Sequence, residues 1–268
     1  MTSSKSKQAA EEFSRSHDYP WLVKRWKSAA RKAGLGFSSF AQSGGFEIYW
    51  ARSISASPGS LRLYLSAGIH GDESASTEAL LSWVSGNQHL LPSLDLTIFP
   101  CLNPWGLTHN KRTDDQGIDL NRCYKNPHTT PHIAAQCALI AAKHFDLAII
   151  LHEDYDARGV YVYETSATRP HLGEKIITAM ERHLPHDPRS RIDGSRSRHG
   201  VIRRRVSPDT LPEWPEALLL HFGHADRTFT IETPSECSIH NRVASHCDGI
   251  DAAVTECKRH LCYRPHRA

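Results

Sequence analysis

The sequence predicts a single α/β domain with a mixed, mostly parallel central sheet and helices on both faces. Three observations predict it. Strand-like apolar runs alternate with segments of helical periodicity, the pattern of parallel strands joined by crossover helices. The length of 268 residues is within what one hydrophobic core can organise. The hydrophobic share of 39%, with 16 glycines added, is that of a globular chain and excludes a disordered or fibrous one.

The elements follow in order. Residues 1–18 are polar without periodicity and predict a flexible N-terminal end, leaving 19–268 as the folded domain. Leu22, Trp26 and Ala29-Ala30 recur at helical spacing until Gly34 and Gly36 stop the pattern. Phe46–Ala51 and Leu61–Leu65 read as strands across the turn-prone Ser57-Pro-Gly-Ser60, which predicts a hairpin. Then come a helix Ser76–Val84, a strand Leu96–Pro100, a helix His132–Lys143 and a buried strand Leu147–Leu151. A short strand Val160–Tyr163, a helix Leu172–His183, a strand Arg227–Ile231 and a last helix His240–His260 complete the series. The Arg-, Ser- and Gly-rich stretch Pro188–Pro208 reads as a long loop. An interdomain linker is disfavoured there, because the remaining ~60 residues would supply only one strand and one helix.

Charge excludes some partners. With 32 Lys+Arg against 29 Asp+Glu the net charge is +3, far from the basic balance of a nucleic-acid domain. The longest apolar run, Cys137–Ala142, is far short of the ~20 residues of a membrane span, and Met1–Ala10 lacks the apolar core of a secretory leader. No nucleic acid, no membrane and a cytoplasmic location are expected. Seven cysteines without a C-x-x-C pair read as reduced thiols. Eighteen histidines make any single one poor evidence of a metal site, so spacing must carry the argument.

One spacing does. His70-Gly-Asp-Glu73 follows a strand in a glycine-containing turn, where two side chains three residues apart can converge on one ion. The same residues suit an ordinary loop in which Asp72 or Ser74 caps the next helix. His152 ends the apolar strand Leu147–Leu151, where ligands of open α/β sheets bind, and is either a third ligand or a strand-terminal polar residue. Between them lie Asn103-Pro-Trp-Gly106, Arg112 and Gly117-Ile-Asp119-Leu-Asn121-Arg122, and late in the chain Thr228-Phe-Thr-Ile-Glu232.

In the order H-x-x-E, N-P-x-G, Arg, G-x-D-x-N-R, His and a late strand ending in Glu, the chain resembles the zinc carboxypeptidase family over about Leu61 to Leu261. The resemblance implies one zinc per chain on His70, Glu73 and His152, with Glu232 as general base and Arg112 stabilising the oxyanion. It also implies that Asn121 and Arg122 grip the carboxylate of a peptide or N-acyl amino acid substrate, and that Asp119 orients His70. On this reading 19–268 is a catalytic domain that hydrolyses an amide beside a free carboxylate. Each role has a plain counterpart: exposed arginines at 112 and 122, a helix-capping Glu232, and a turn at Asn103–Gly106.

Compact bacterial members of the family include murein peptide amidases, which suggests a cell-wall peptide as substrate. Larger digestive members carry a substrate-closing Tyr about twenty residues before the glutamate; here Ser207–Pro212 stands in that stretch. The arginines at 189, 191, 196, 198 and 203–205 read as a solvated segment or as a lid for an anionic substrate. Two other readings remain. The aspartoacylase and succinylglutamate desuccinylase group shares an H-x-x-E, a D-L-N-R run and a third His, but carries a further β-rich segment for which 36 residues (268 − 232) after Glu232 are too few. A non-catalytic binding module would have no physical need of Glu232.

Overall fold

The computed structural model describes residues 13–261 except 167 and 210; the first twelve residues of the expected loose end, and Cys262, lie outside the described residues. Residues 13–18 are packed onto the body. The Phe13 ring meets His240 at 6.2 Å between centroids, and His17 Nδ1 lies 2.8 Å from the Leu107 carbonyl oxygen.

Helix α1 (Tyr19–Lys32) is capped by Asp18, which accepts from the Trp21 N–H, and buries Leu22, Trp26, Ala29 and Ala30. Strands β1 (Leu35–Ser43) and β2 (Phe46–Ser53) form an antiparallel hairpin over Gly44-Gly45, both at positive φ. Next come β3 (Leu61–Ser66), α2 (Ser74–Gly86), β4 (Leu94–Phe99), the short α3 (Pro104–His109) and α4 (Pro131–Ile140). Then follow β5 (Leu147–Asp154), β6 (Tyr161–Ser166), α5 (Gly173–Met180), and the short strands β7 (Arg191–Ile192), β8 (Ser195–Arg198) and β9 (Val201–Ile202). The chain closes with α6 (Glu216–Leu219), β10 (Arg227–Pro234) and α7 (Ile239–Leu261).

The strands make one sheet ordered β1-β2-β4-β3-β5-β10-β6-β9-β8-β7. Its centre, β4-β3-β5-β10, is parallel; β2 joins β4, and β6 joins β10, antiparallel. Alternate residues feed opposite layers, as the pleat requires. Leu63, Leu65, Ile149, Leu151 and Phe229 pack with apolar residues of α1, α2, α5 and α7. Tyr64, Ala148 and Ile150 pack on the other face with Ile133 and Ile140 of α4.

Two expectations are corrected. The strands Phe46–Ala51 and Leu61–Leu65 do not form a hairpin: β2 pairs with β4, while β3 lies between β4 and β5, parallel to both. The reason is burial. Strand β3 is buried on both faces except at Arg62 and takes the sheet interior, whereas β2 keeps half-exposed positions and stays toward the edge beside β1. The stretch Pro188–Pro208 is not one long loop either. Its β8–β9 hairpin docks on the sheet through β9 and β6, with Ile192, Val201 and Ile202 buried. Among the described residues no helix is long and apolar enough to cross a membrane.

Candidate metal centre

Three parallel strands deliver residues to one rim of the sheet. The turn after β3 carries His70 and Glu73, β5 carries His152, and β10 carries Glu232 in register with it. This is where the strand ends of an open α/β sheet present ligands. The turn is tight because Gly68 takes φ +62° and Gly71 lies against α3, where a Cβ would overlap the backbone of Gly106 and Leu107. Asn103 holds α3 in place: its Oδ1 accepts from the Gly106 N–H at 2.8 Å, and its Nδ2 donates to the Arg112 carbonyl at 3.2 Å. The turn signature N-P-x-G thus also fixes the backbone of Arg112.

His70, Glu73 and His152 converge, buried, with one ligand atom of each lying within 4.8 Å of the others. Nδ1 of His70 lies 2.5 Å from Glu73 Oε1, and Nδ1 of His152 lies 2.9 Å from Glu73 Oε2. On the far side of its ring, His70 Nε2 lies 3.2 Å from Asp119 Oδ1. Asp119 Oδ2 in turn accepts from Nε and Nη2 of Arg112 at 3.2 and 3.1 Å, while Arg112 Nη1 reaches 3.3 Å from His70 Nδ1. The carboxylate on Nε2 orients the ring so that Nδ1 faces Glu73, and a donor set of two imidazole nitrogens and one carboxylate suits zinc.

The charges agree. Burial opposes a charged His70, yet Glu73 and the Asp119 hydrogen bond outweigh it and lift its pKa to about 9. Burial likewise opposes the Glu73 carboxylate, but His70 and His152 overcome this and hold it well below the usual range. Without a metal, the pocket therefore favours an ionised Glu73 beside a protonated His70, and a cation bound there would take the place of that proton. Glu232 stands apart. Burial pushes its pKa up to about 8, with Glu73, Asp154 and Asp193 adding to the shift and His152 opposing it.

A cavity of about 450 Å³ opens here, lined by His70, Glu73, Arg112, Asn121, Arg122, His152 and Glu232 among others. Asp119 lies behind it, against His70 and Arg112. Asn121 Oδ1 accepts from the Glu216 backbone N–H at 2.9 Å, and its Nδ2 lies 3.5 Å from His152 Nε2. Arg122 donates from Nη1 to its neighbour's carbonyl and has Glu213 4.0 Å from Nε.

Other lining residues escape the sequence reading. Tyr161 and Tyr163 on β6 pair with Glu232 and Thr230 on β10 and line the cavity beside them; two tyrosines at strand spacing were the available signal. Tyr155, 76% exposed, stands at the mouth, while the Ser207–Pro212 stretch contributes Leu211 and Pro212 and no tyrosine. Of the seven arginines between 189 and 205 only Arg204 lines the cavity. Arg189 is held by Asp187 and Arg203 by Glu164 and Glu174.

The chain is similar to several known proteins. The sequence profile of the succinylglutamate desuccinylase/aspartoacylase catalytic domain matches residues 60–172. Carboxypeptidase SOL1 of Arabidopsis thaliana is 31% identical over 116 residues, 38% of this chain and 22% of that protein; the chain thus spans about a fifth of this relative's length. A candidate metallopeptidase from Shewanella amazonensis superposes with a TM-score of 0.79 at 23% identity, over 90% of this chain and 94% of that one. Murein-tripeptide amidase from Escherichia coli superposes at 0.54 with 19% identity, over 86% and 93%. The chain is similar in fold to metallopeptidases and metallo-carboxypeptidases, and it carries a His-Glu-His group able to hold a metal. The profile match falls on the aspartoacylase group, the second of the readings that the motifs allow.

Proposed function

We propose that this protein is a zinc-dependent hydrolase that cleaves an amide bond beside a free carboxylate, with residues 19–268 as its catalytic domain. The observation that carries the reading is that the convergent His70, Glu73 and His152 share one cavity with Glu232, Arg112 and Arg122. Zinc on the three ligands would polarise the scissile carbonyl and lower the pKa of water toward ~7. Glu232 takes the proton of the attacking water and passes it to the leaving nitrogen, a role suited to a carboxyl whose pKa burial has moved toward neutrality. Arg112, anchored by Asp119, faces the charge that develops on the carbonyl oxygen. Asn121 and Arg122 hold the substrate carboxylate; a guanidinium can do so bidentately.

The profile match favours a second reading on the same machinery, an N-acyl amino acid deacylase. A cell-wall peptide remains the first reading's candidate substrate, in keeping with the murein-tripeptide amidase likeness. The test is a panel of short peptides, their C-terminally amidated forms and N-acyl amino acids, run on metal-stripped and zinc-restored protein. Free-acid peptides should be cleaved only with zinc, and amidated ones poorly. Cleavage of N-acyl amino acids alone selects the deacylase. Zinc-loaded protein that hydrolyses neither class overturns the proposal in favour of a binding module.

A further inference from the structure

Helix α2 begins directly after Glu73, so the placement of that ligand depends on how the first turn of the helix is held. Glu73 occupies the N-cap position yet makes no capping bond, because its carboxylate is turned to His70 and His152. The cap comes from another strand. Glu153, next to His152 on β5 and buried, accepts on Oε1 from the N–H groups of Ala75 at 2.6 Å and Ser76 at 3.3 Å. Its Oε2 is bound by Nη1 of Arg242, in the first turn of α7, whose side chain is itself largely buried.

One carboxylate therefore joins the strand that bears His152, the helix that begins at Glu73, and α7 behind both. An anion at a helix N-terminus satisfies orphan N–H groups and complements the helix dipole, and a paired guanidinium makes its burial tolerable. Neither group belongs to the ligand set. We propose that Glu153, held by Arg242, is a positioning residue that fixes Glu73 relative to His152 and so sets the metal affinity of the site. The inference rests on the metal reading of the proposed function. It assigns the tightness of the site to a carboxylate that does not touch the ion.

The test measures zinc dissociation constants by competition with a chromophoric chelator, alongside unfolding temperatures of the metal-free proteins. Glu153→Ala should weaken zinc binding about 10–100-fold, the range for partners that orient metal ligands. The double variant E153Q/R242M keeps an acceptor for the Ala75 N–H and strands no buried charge. It should recover to within about threefold of wild type. A simple structural ion pair would instead lower the metal-free unfolding temperature and leave the zinc constant unchanged. An unchanged zinc constant in Glu153→Ala overturns the inference, as does equal loss in the double variant. If Glu153→Ala fails to fold, the double variant decides alone: affinity near wild type supports the inference and a tenfold loss overturns it. Wild-type protein that takes up no zinc rejects the metal reading, and this inference with it.

Discussion

Glu232 and His152 are register partners on adjacent parallel strands, yet the proposed base and the proposed ligand should respond differently to substitution. Glu232→Gln should retain zinc and lose about 10²–10⁴-fold in kcat, the usual contribution of a general base. Metal analysis beside steady-state kinetics checks both halves; loss of zinc would make Glu232 a ligand instead. Arg122→Ala should cut kcat/KM for free-acid substrates roughly 10–100-fold, as the loss of charge-assisted hydrogen bonds implies, while amidated analogues change little. Equal losses on both would remove Arg122 from the clamp. Behind the sheet, His246 is fully buried, bonds Thr233 Oγ1 through Nε2 at 3.0 Å, and has its pKa pushed down to about 3 by burial, with Arg242 adding. Below its unfolded pKa near 6.5 the unfolded chain binds the proton that the folded one refuses, so stability falls as pH drops from about 6.5 toward 3. In His246→Asn that fall should be shallower than in wild type, read as unfolding temperature against pH.

At the scale of elements, the cavity wall at α6 hangs on one buried carboxylate. Glu216 accepts from the Tyr64 hydroxyl, from Ser66 Oγ at 2.8 Å and from Gln136 Nε2 at 2.8 Å, while its backbone N–H holds Asn121. Glu216→Ala would leave those buried donors unmatched, costing about 2–4 kcal/mol by urea unfolding, and should raise KM more than it lowers kcat. Stability within about 0.5 kcal/mol of wild type would contradict the network's role. Elements were legible where periodicity was undiluted: β5, buried from Leu147 through Glu153, and α1, with its spaced Leu22 and Trp26. Strand β1 was hidden because its serines, glycine and glutamine leave most positions half or fully exposed, although Gly44-Gly45 carried the turn signal. Pairing was hidden too. The Ser57–Ser60 turn is local, whereas the choice of β4 as the partner of both β2 and β3 is made by burial across the sheet.

For the whole molecule, the order of the motifs was readable, since each stands in a turn or at a strand end with its own local signature. Their convergence is a property of the sheet: residues 70, 73 and 152 meet only because β3 and β5 are adjacent and parallel. Support from behind was not readable, because Glu153, Arg242 and Glu216 look in sequence like ordinary surface charges and only burial distinguishes them. Zinc bound to the folded state alone should also raise the unfolding temperature in proportion to the logarithm of its concentration. The central claim is that His70, Glu73 and His152 hold one zinc per chain. It is tested most directly by titrating zinc into metal-stripped wild type and His70→Ala and measuring bound metal per chain. One equivalent is expected for the wild type and none at the same free zinc for the variant; full occupancy in the variant, or none in the wild type, would rule the assignment out.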